Sequence, residues 1–254
     1  MDIAYTVLGL VVGLLVGMTG VGGGSLLTPA LTLFGINPAV AVGTDLVFAA
    51  ITKGVGTVVH RAQSSVDWRI AGLLAAGSCP AAAITVGALA ATGLHANSGV
   101  ISVVLAAALI LTAVVLLADR ARIVAIATRY EARIAARRTV LTVTSGVLLG
   151  VLVTLSSIGA GALGAAFLVA LYPRLAATRI AGTDIAHAVP LTAVAGLGHL
   201  ALGTVNGTLL ASLLSGSVPG IVLGSLASGR LPDNVVRRLL ALVLLVVGAR
   251  VALS

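Results

Sequence analysis

A block near the start of this chain recurs at a fixed displacement. Gly20-Val21-Gly22-Gly23-Gly24 is followed by Gly43-Thr44-Asp45, and 139 residues further on stand Gly159-Ala160-Gly161 and Gly182-Thr183-Asp184. The same displacement carries His60 onto His199, and Gly77-Ser78-Cys79-Pro80 onto Gly216-Ser217-Val218-Pro219. One ungapped shift held over about 60 residues marks an internal duplication. Whatever the chain folds into must use one half-unit twice.

The setting of the duplication narrows the class. The hydrophobic fraction is 59% and only 9% of residues are charged, against about 25% charged in an average soluble domain. Mean hydropathy is +1.19. Apolar segments fall at 3–19, 25–36, 38–60, 68–91 and 98–118, and again at 140–158, 162–172, 178–200, 205–228 and 236–253. Most approach the roughly 20 residues that cross a bilayer. The segments at 25–36 and 162–172 are too short for that and follow glycines, so they read as re-entrant or broken halves. The expected fold is an all-α polytopic membrane protein of two homologous helical repeats. It has about eight full transmembrane helices plus two short segments. The repeats are residues 1–118 and 140–254, joined by a basic linker at 119–139. Apolar residues 1–18 carry Asp2 where a secretory signal carries basic residues, so they read as the first permanent span.

The net charge of +8 is largely topological. Arg120, Arg122, Arg129, Arg133, Arg137 and Arg138 oppose only Asp119 and Glu131 in the linker. An arginine excess of this kind places a loop in the cytoplasm, and it removes the case for nucleic acid as a partner. Ile123, Val124, Ile126 and Ile134 leave room for a lipid-facing amphipathic helix, although a topological anchor suffices. The loop from Arg230 to Arg238 is also basic, whereas its counterpart from Thr92 to Asn97 is not, which favours inverted halves. Hydropathy alone favours parallel ones. Cys79 is the only cysteine, so there is no internal disulfide and no cysteine-built metal site. No cofactor is called for, and the oligomeric state is left open.

Several residues carry candidate chemistry. A helix that begins at Gly20, Gly22, Gly23, Gly24 and Ser25 presents free N–H groups and a partial positive charge, with no Cβ to hold a small anion away. Ser156, Ser157, Gly159 and Gly161 form the second copy, poorer in glycine but with two hydroxyls. Gly9, Gly13 and Gly17 recur every four residues and suit close helix packing instead. Lys53 sits in mid-segment with Thr192 at its counterpart, and is expected to lend positive charge to an anion path. Thr44 with Asp45, and Thr183 with Asp184, are candidates for gating or for carrying a coupling proton or cation. A structural helix cap is the competing reading. His187 lies one turn beyond Asp184 and is the better proton-relay candidate. His60 and His199 read as amphipathic helix ends. Pro80 and Pro219 read as kinks or hinges.

These residues resemble the sulfite exporter TauE/SafE family. The likeness rests on the early glycine cluster with Pro29 behind it, Asn37-Pro38 leading into Gly43-Thr44-Asp45, the central basic loop, and the second Gly-Thr-Asp at 182–184. It covers essentially the whole chain. The resemblance implies a transporter of a small sulfur-containing oxyanion or organosulfonate, a multi-pass protein of the cytoplasmic membrane. The expected function is therefore secondary anion transport by alternating access between the repeats, the lipid bilayer and the substrate being the partners. An anion channel is the nearest alternative. An intramembrane enzyme is the distant one, since no His-Glu-x-x-His or Gly-x-Ser-Gly is present.

Overall fold

The computed structural model describes residues 2–19, 24–62, 65–94, 98–226 and 233–252. Among these the chain is all-helical: α1 (Ile3–Thr19), α2 (Gly24–Leu33), α3 (Pro38–Ala62), α4 (Trp68–Thr92), α5 (Ser98–Leu117), α6 (Arg120–Arg129), α7 (Glu131–Ser156), α8 (Ala162–Leu171), α9 (Ala177–Ala201), α10 (Gly207–Leu226) and α11 (Asp233–Ala252). Five of them, within α3, α4, α5, α7 and α9, are long and apolar enough to cross a membrane. The protein is a polytopic membrane protein. The two short segments are helices of ten residues each, about 15 Å long and half a bilayer.

One boundary differs from the sequence expectation. The span expected at 140–158 begins at Glu131, because α7 runs unbroken through Arg133, Ala135 and Arg138. Alanine and arginine are strong helix formers and no glycine or proline interrupts them. The linker is thus one short helix, α6, followed by the extended foot of α7. Ile123 and Val124 of α6 pack against the main apolar core, while Arg122 is exposed.

Helix packing is pairwise and crosses between the halves. α1 packs along α10, α4 along α7, α3 along α9 and α5 along α11. Glycines permit the first two contacts. Gly9 lies against the Leu213 backbone and Gly13 against that of Ser217, while Gly146 lies against Leu74 and Gly150 against Ser78. The partners rise together along both helices, so α1 runs parallel to α10 and α7 parallel to α4. In the reverse direction Gly216 meets Thr6 and Leu10, and Gly77 meets Val143 and Val147. The packing assigned to Gly9 and Gly13 from their spacing is what they do. α3 and α9, in contrast, run antiparallel, with Gly196 against Val47 and Gly56 against Ile185.

Such contacts are intolerant of side chains. A Cβ on Gly77 would enter the space of the Val143 carbonyl oxygen, which is backbone and cannot rotate away. Gly77→Leu should therefore force α4 off α7 and cost about 3 kcal/mol or more, at the upper end of overpacking penalties. The check is the yield of monodisperse protein and its thermal midpoint in detergent. Gly72→Leu is the control, because a Cβ there meets nothing.

Candidate functional site

The two Gly-Thr-Asp motifs lie on α3 and α9 and each residue in them does a separate task. Gly43 abuts Thr204 and Gly182 abuts Ser65, so each glycine admits the loop of the opposite half. Thr44 Oγ1 accepts a hydrogen bond from the Asn206 N–H at 3.1 Å. Thr183 Oγ1 accepts one from the Asp67 N–H at 2.9 Å. Asn206 and Asp67 in turn cap α10 and α4, through Leu209 N at 3.0 Å and Ile70 N at 3.2 Å. The glycine and threonine therefore stitch one half to the other.

The aspartates point inward to the short helices. The Asp45 carboxylate receives both the Thr28 hydroxyl, at 2.5 Å, and the Thr28 N–H, at 3.2 Å, from α2. Its Oδ1 has no hydrogen-bond partner. Asp184 presses its carboxylate against Gly164 in the first turn of α8, and its Oδ1 is also unpartnered. Both side chains are buried. Neither aspartate caps its own helix, the competing reading of their position: α3 starts at Pro38 and α9 at Ala177, about two turns earlier.

Lys53 is buried on α3, within electrostatic reach of both Asp45 and Asp184. No ion pair within 4.0 Å joins it to either among the described residues. Its ammonium instead donates to the Ala160 carbonyl, in the break between α7 and α8. That break is sharp. Ser157 has φ 58°, Gly159 φ 114° and Gly161 φ 152°. A non-glycine residue in left-handed backbone costs about 1 kcal/mol. Gly164 N and Ala165 N return to the Gly159 and Gly161 carbonyls. The N–H groups of Ala162 and Leu163, at the very start of α8, have no intrahelical partner to take.

The remaining sequence candidates separate here. Ser156 spends its hydroxyl on the helix end, donating to Leu152 O at 2.6 Å and accepting from Ile158 N at 3.2 Å. Ser157 is buried, with its hydroxyl beside the Asp45 carboxylate. His187 does not bond Asp184. It pairs with Ser78 of α4, Nε2 to Oγ at 2.9 Å, and leaves Nδ1 without a partner. His199 is no amphipathic end, being buried with its ring between Thr204 Oγ1 at 2.8 Å and Thr154 O at 2.9 Å. Gly20, Gly22 and Gly23 lie outside the described residues; Gly24 begins α2, with Ser25 next in it.

Three participants escaped the sequence reading: Thr28, Gly164 and Ser78. A signal existed for one. The displacement of 139 that relates the motifs places Gly164 on Ser25, marking the first turn of each short helix as small.

The centre of the molecule is thus two inward carboxylates, one ammonium and a broken helix, with its outer residues bolted across the halves. A family model described as Sulfite exporter TauE/SafE matches residues 5–251. The chain belongs to this family. It is 39% identical over 220 residues to the probable membrane transporter protein YjnA of Bacillus subtilis (strain 168), covering 84% of this chain and 85% of that one. A second B. subtilis protein, the probable membrane transporter protein YunE, is 41% identical over 69 residues, covering 27% of this chain and 25% of that one. No solved structure matches the chain.

Proposed function

We propose that this protein is a secondary transporter of a small sulfur-containing oxyanion or organosulfonate in the cell membrane. Two inverted halves would work by alternating access. α1, α10 and α11 complete eight full spans, and α2 and α8 are re-entrant. The antiparallel crossing of α3 and α9 supports inversion, because equivalent helices of inverted repeats run in opposite directions. The exchanged contacts of the Gly-Thr pairs support two units that hinge about a shared centre.

The observation that carries the reading is the convergence of Asp45 and Asp184 on the two short helices and of Lys53 on the break before α8. Substrate meets Lys53, Ser157 and the backbone around Gly159 and Gly161 on one side, and Gly20 to Ser25 on the other. Ser156 serves the helix end. A helix start attracts an anion, yet in this conformation Asp184 faces the first turn of α8 and Asp45 takes the Thr28 N–H of α2, each a carboxylate of the same half as its helix. Substrate and carboxylate compete for the same positive end. A proton or small cation that neutralises Asp45 or Asp184 would release the end to the substrate. That competition is the coupling device, and it predicts an anion moved together with a cation.

The test is flux in proteoliposomes with sulfite, thiosulfate, sulfonates and carboxylates. Saturable exchange, accelerated by unlabelled substrate on the far side, is expected. Linear flux with no such acceleration would make the protein a channel. Orientation has its own check. Ala125→Cys, exposed on α6, should resist an impermeant maleimide in intact cells and react after permeabilisation, in a Cys79→Ser background. Labelling from outside would reverse the assignment of the linker to the cytoplasm.

A further inference from the structure

On the linker side, a cleft of about 380 Å³ opens between the start of α4, the foot of α7 and the loop after α8. Arg69, Arg138, Thr139 and Tyr172 line it with Leu73 and Leu175. The foot of α7 exists only because that helix continues to Glu131, so the cleft is a product of the extension the sequence did not announce.

Its electrostatics are lopsided. The Arg138 guanidinium stacks 5.2 Å from the centre of the Tyr172 ring. The ring is fixed in turn by Thr142, whose Oγ1 lies 2.9 Å from the Tyr172 hydroxyl. Arg138 is 3.7 Å from Glu131, but that carboxylate has the closer Arg174 at 2.8 Å. The Nε of Arg138 is buried and unpartnered. Asp67 also lines the cleft, with its carboxylate engaged by the Ile70 N–H and 3.6 Å from Arg179. Each acid near the cleft is shared with a cation that does not line it, Arg174 on Glu131 and Arg179 on Asp67, so Arg69 and Arg138 leave the cleft with a net positive charge. The positive end of α4 adds to them. A stacked arginine whose side chain is 30% exposed suits the fork-like recognition of a tetrahedral oxyanion. Leucines beside it suit an apolar substituent on that ion.

We propose that this cleft is a second anion site, distinct from the central cluster, binding a phosphate or sulfonate group through Arg69 and Arg138. The Asp67 N–H bonds Thr183, whose chain neighbour is Asp184, so the cleft wall is tied by one hydrogen bond to the segment that carries a central carboxylate. The oxyanion comes either free from solution or on a lipid headgroup, and the two sources share this chemistry.

Trp68, the only tryptophan in the chain, is the residue between Asp67 and Arg69 and is 54% exposed. Its emission reports on the cleft without any label. The experiment titrates full-length protein in phosphatidylcholine nanodiscs with inorganic phosphate and with a short alkanesulfonate at constant ionic strength. A second arm raises the phosphatidylglycerol content of the discs. A saturable change in Trp68 emission is expected in at least one arm: the first identifies a free ion, the second alone a lipid. Arg138→Gln and the exposed Arg69→Gln should each weaken it about tenfold or more, the scale of a lost charge-assisted bond. Lys53→Met should leave it unchanged, which separates this site from the central one. A response absent from both arms, equal to that of chloride, or insensitive to both arginine variants overturns the proposal.

Discussion

Asp184→Asn should leave substrate exchange intact while reducing gradient-driven accumulation about a hundredfold, the scale of the roughly 3 kcal/mol that separates a charged from a neutral group in mid-membrane. Asparagine keeps the shape that packs against Gly164 but removes the charge. It mimics the neutralised aspartate permanently, so the start of α8 is always open to the substrate and no coupling cation is required. Exchange needs only the loaded protein to reorient; accumulation needs the empty carrier to return under control of the carboxylate. The measurement is uptake into proteoliposomes with an imposed proton or sodium gradient, beside exchange at equilibrium. Undiminished accumulation in Asp184→Asn would remove this residue from coupling. Asp45→Asn should behave similarly, because both Thr28 donors converge on the single oxygen Oδ2, which the amide oxygen can replace while its NH2 takes the place of the unpartnered Oδ1.

Much of this centre was legible in the chain, for a physical reason. A duplicated motif must satisfy the same local demands twice, so the pairs Asp45 and Asp184, Thr44 and Thr183, and Gly43 and Gly182 declare themselves by displacement alone. Their shares of the work do not. Thr44 and Thr183 were grouped with the aspartates as gating candidates, yet their hydroxyls accept from Asn206 and Asp67, 162 and 116 positions away in the chain. No local pattern specifies a partner at that separation. His187 was matched to Asp184 because one turn on a helix is visible in sequence, whereas Ser78, its actual partner, lies on another helix. The extension of α7 was hidden differently. Charged residues ended the hydropathy signal at 140, although helix propensity, a separate property, continues to Glu131.

Lys53→Met should have the largest effect on binding and should also destabilise the protein, and these consequences can be separated. Among the described residues the ammonium is the cationic group within electrostatic reach of both Asp45 and Asp184, and it holds the Ala160 carbonyl at the break. Removing it leaves two buried carboxylates without their cation and an unpaired carbonyl, the carbonyl alone costing about 1–3 kcal/mol. Methionine preserves the length and apolar stem, so packing changes little. Substrate affinity should fall at least about tenfold, and further for a divalent anion than for a monovalent one, since the lost attraction scales with ligand charge. Lys53→Arg keeps the charge but must seat a planar fork, so it should fall between. The double variant Lys53→Met/Asp184→Asn removes one charge of each sign and should recover much of the thermal stability without recovering affinity. That divergence distinguishes an ammonium that meets the substrate from one that only balances the aspartates. If affinity returned together with stability, Lys53 would be a structural counter-ion, and the substrate's charge would be met by the starts of α2 and α8 alone.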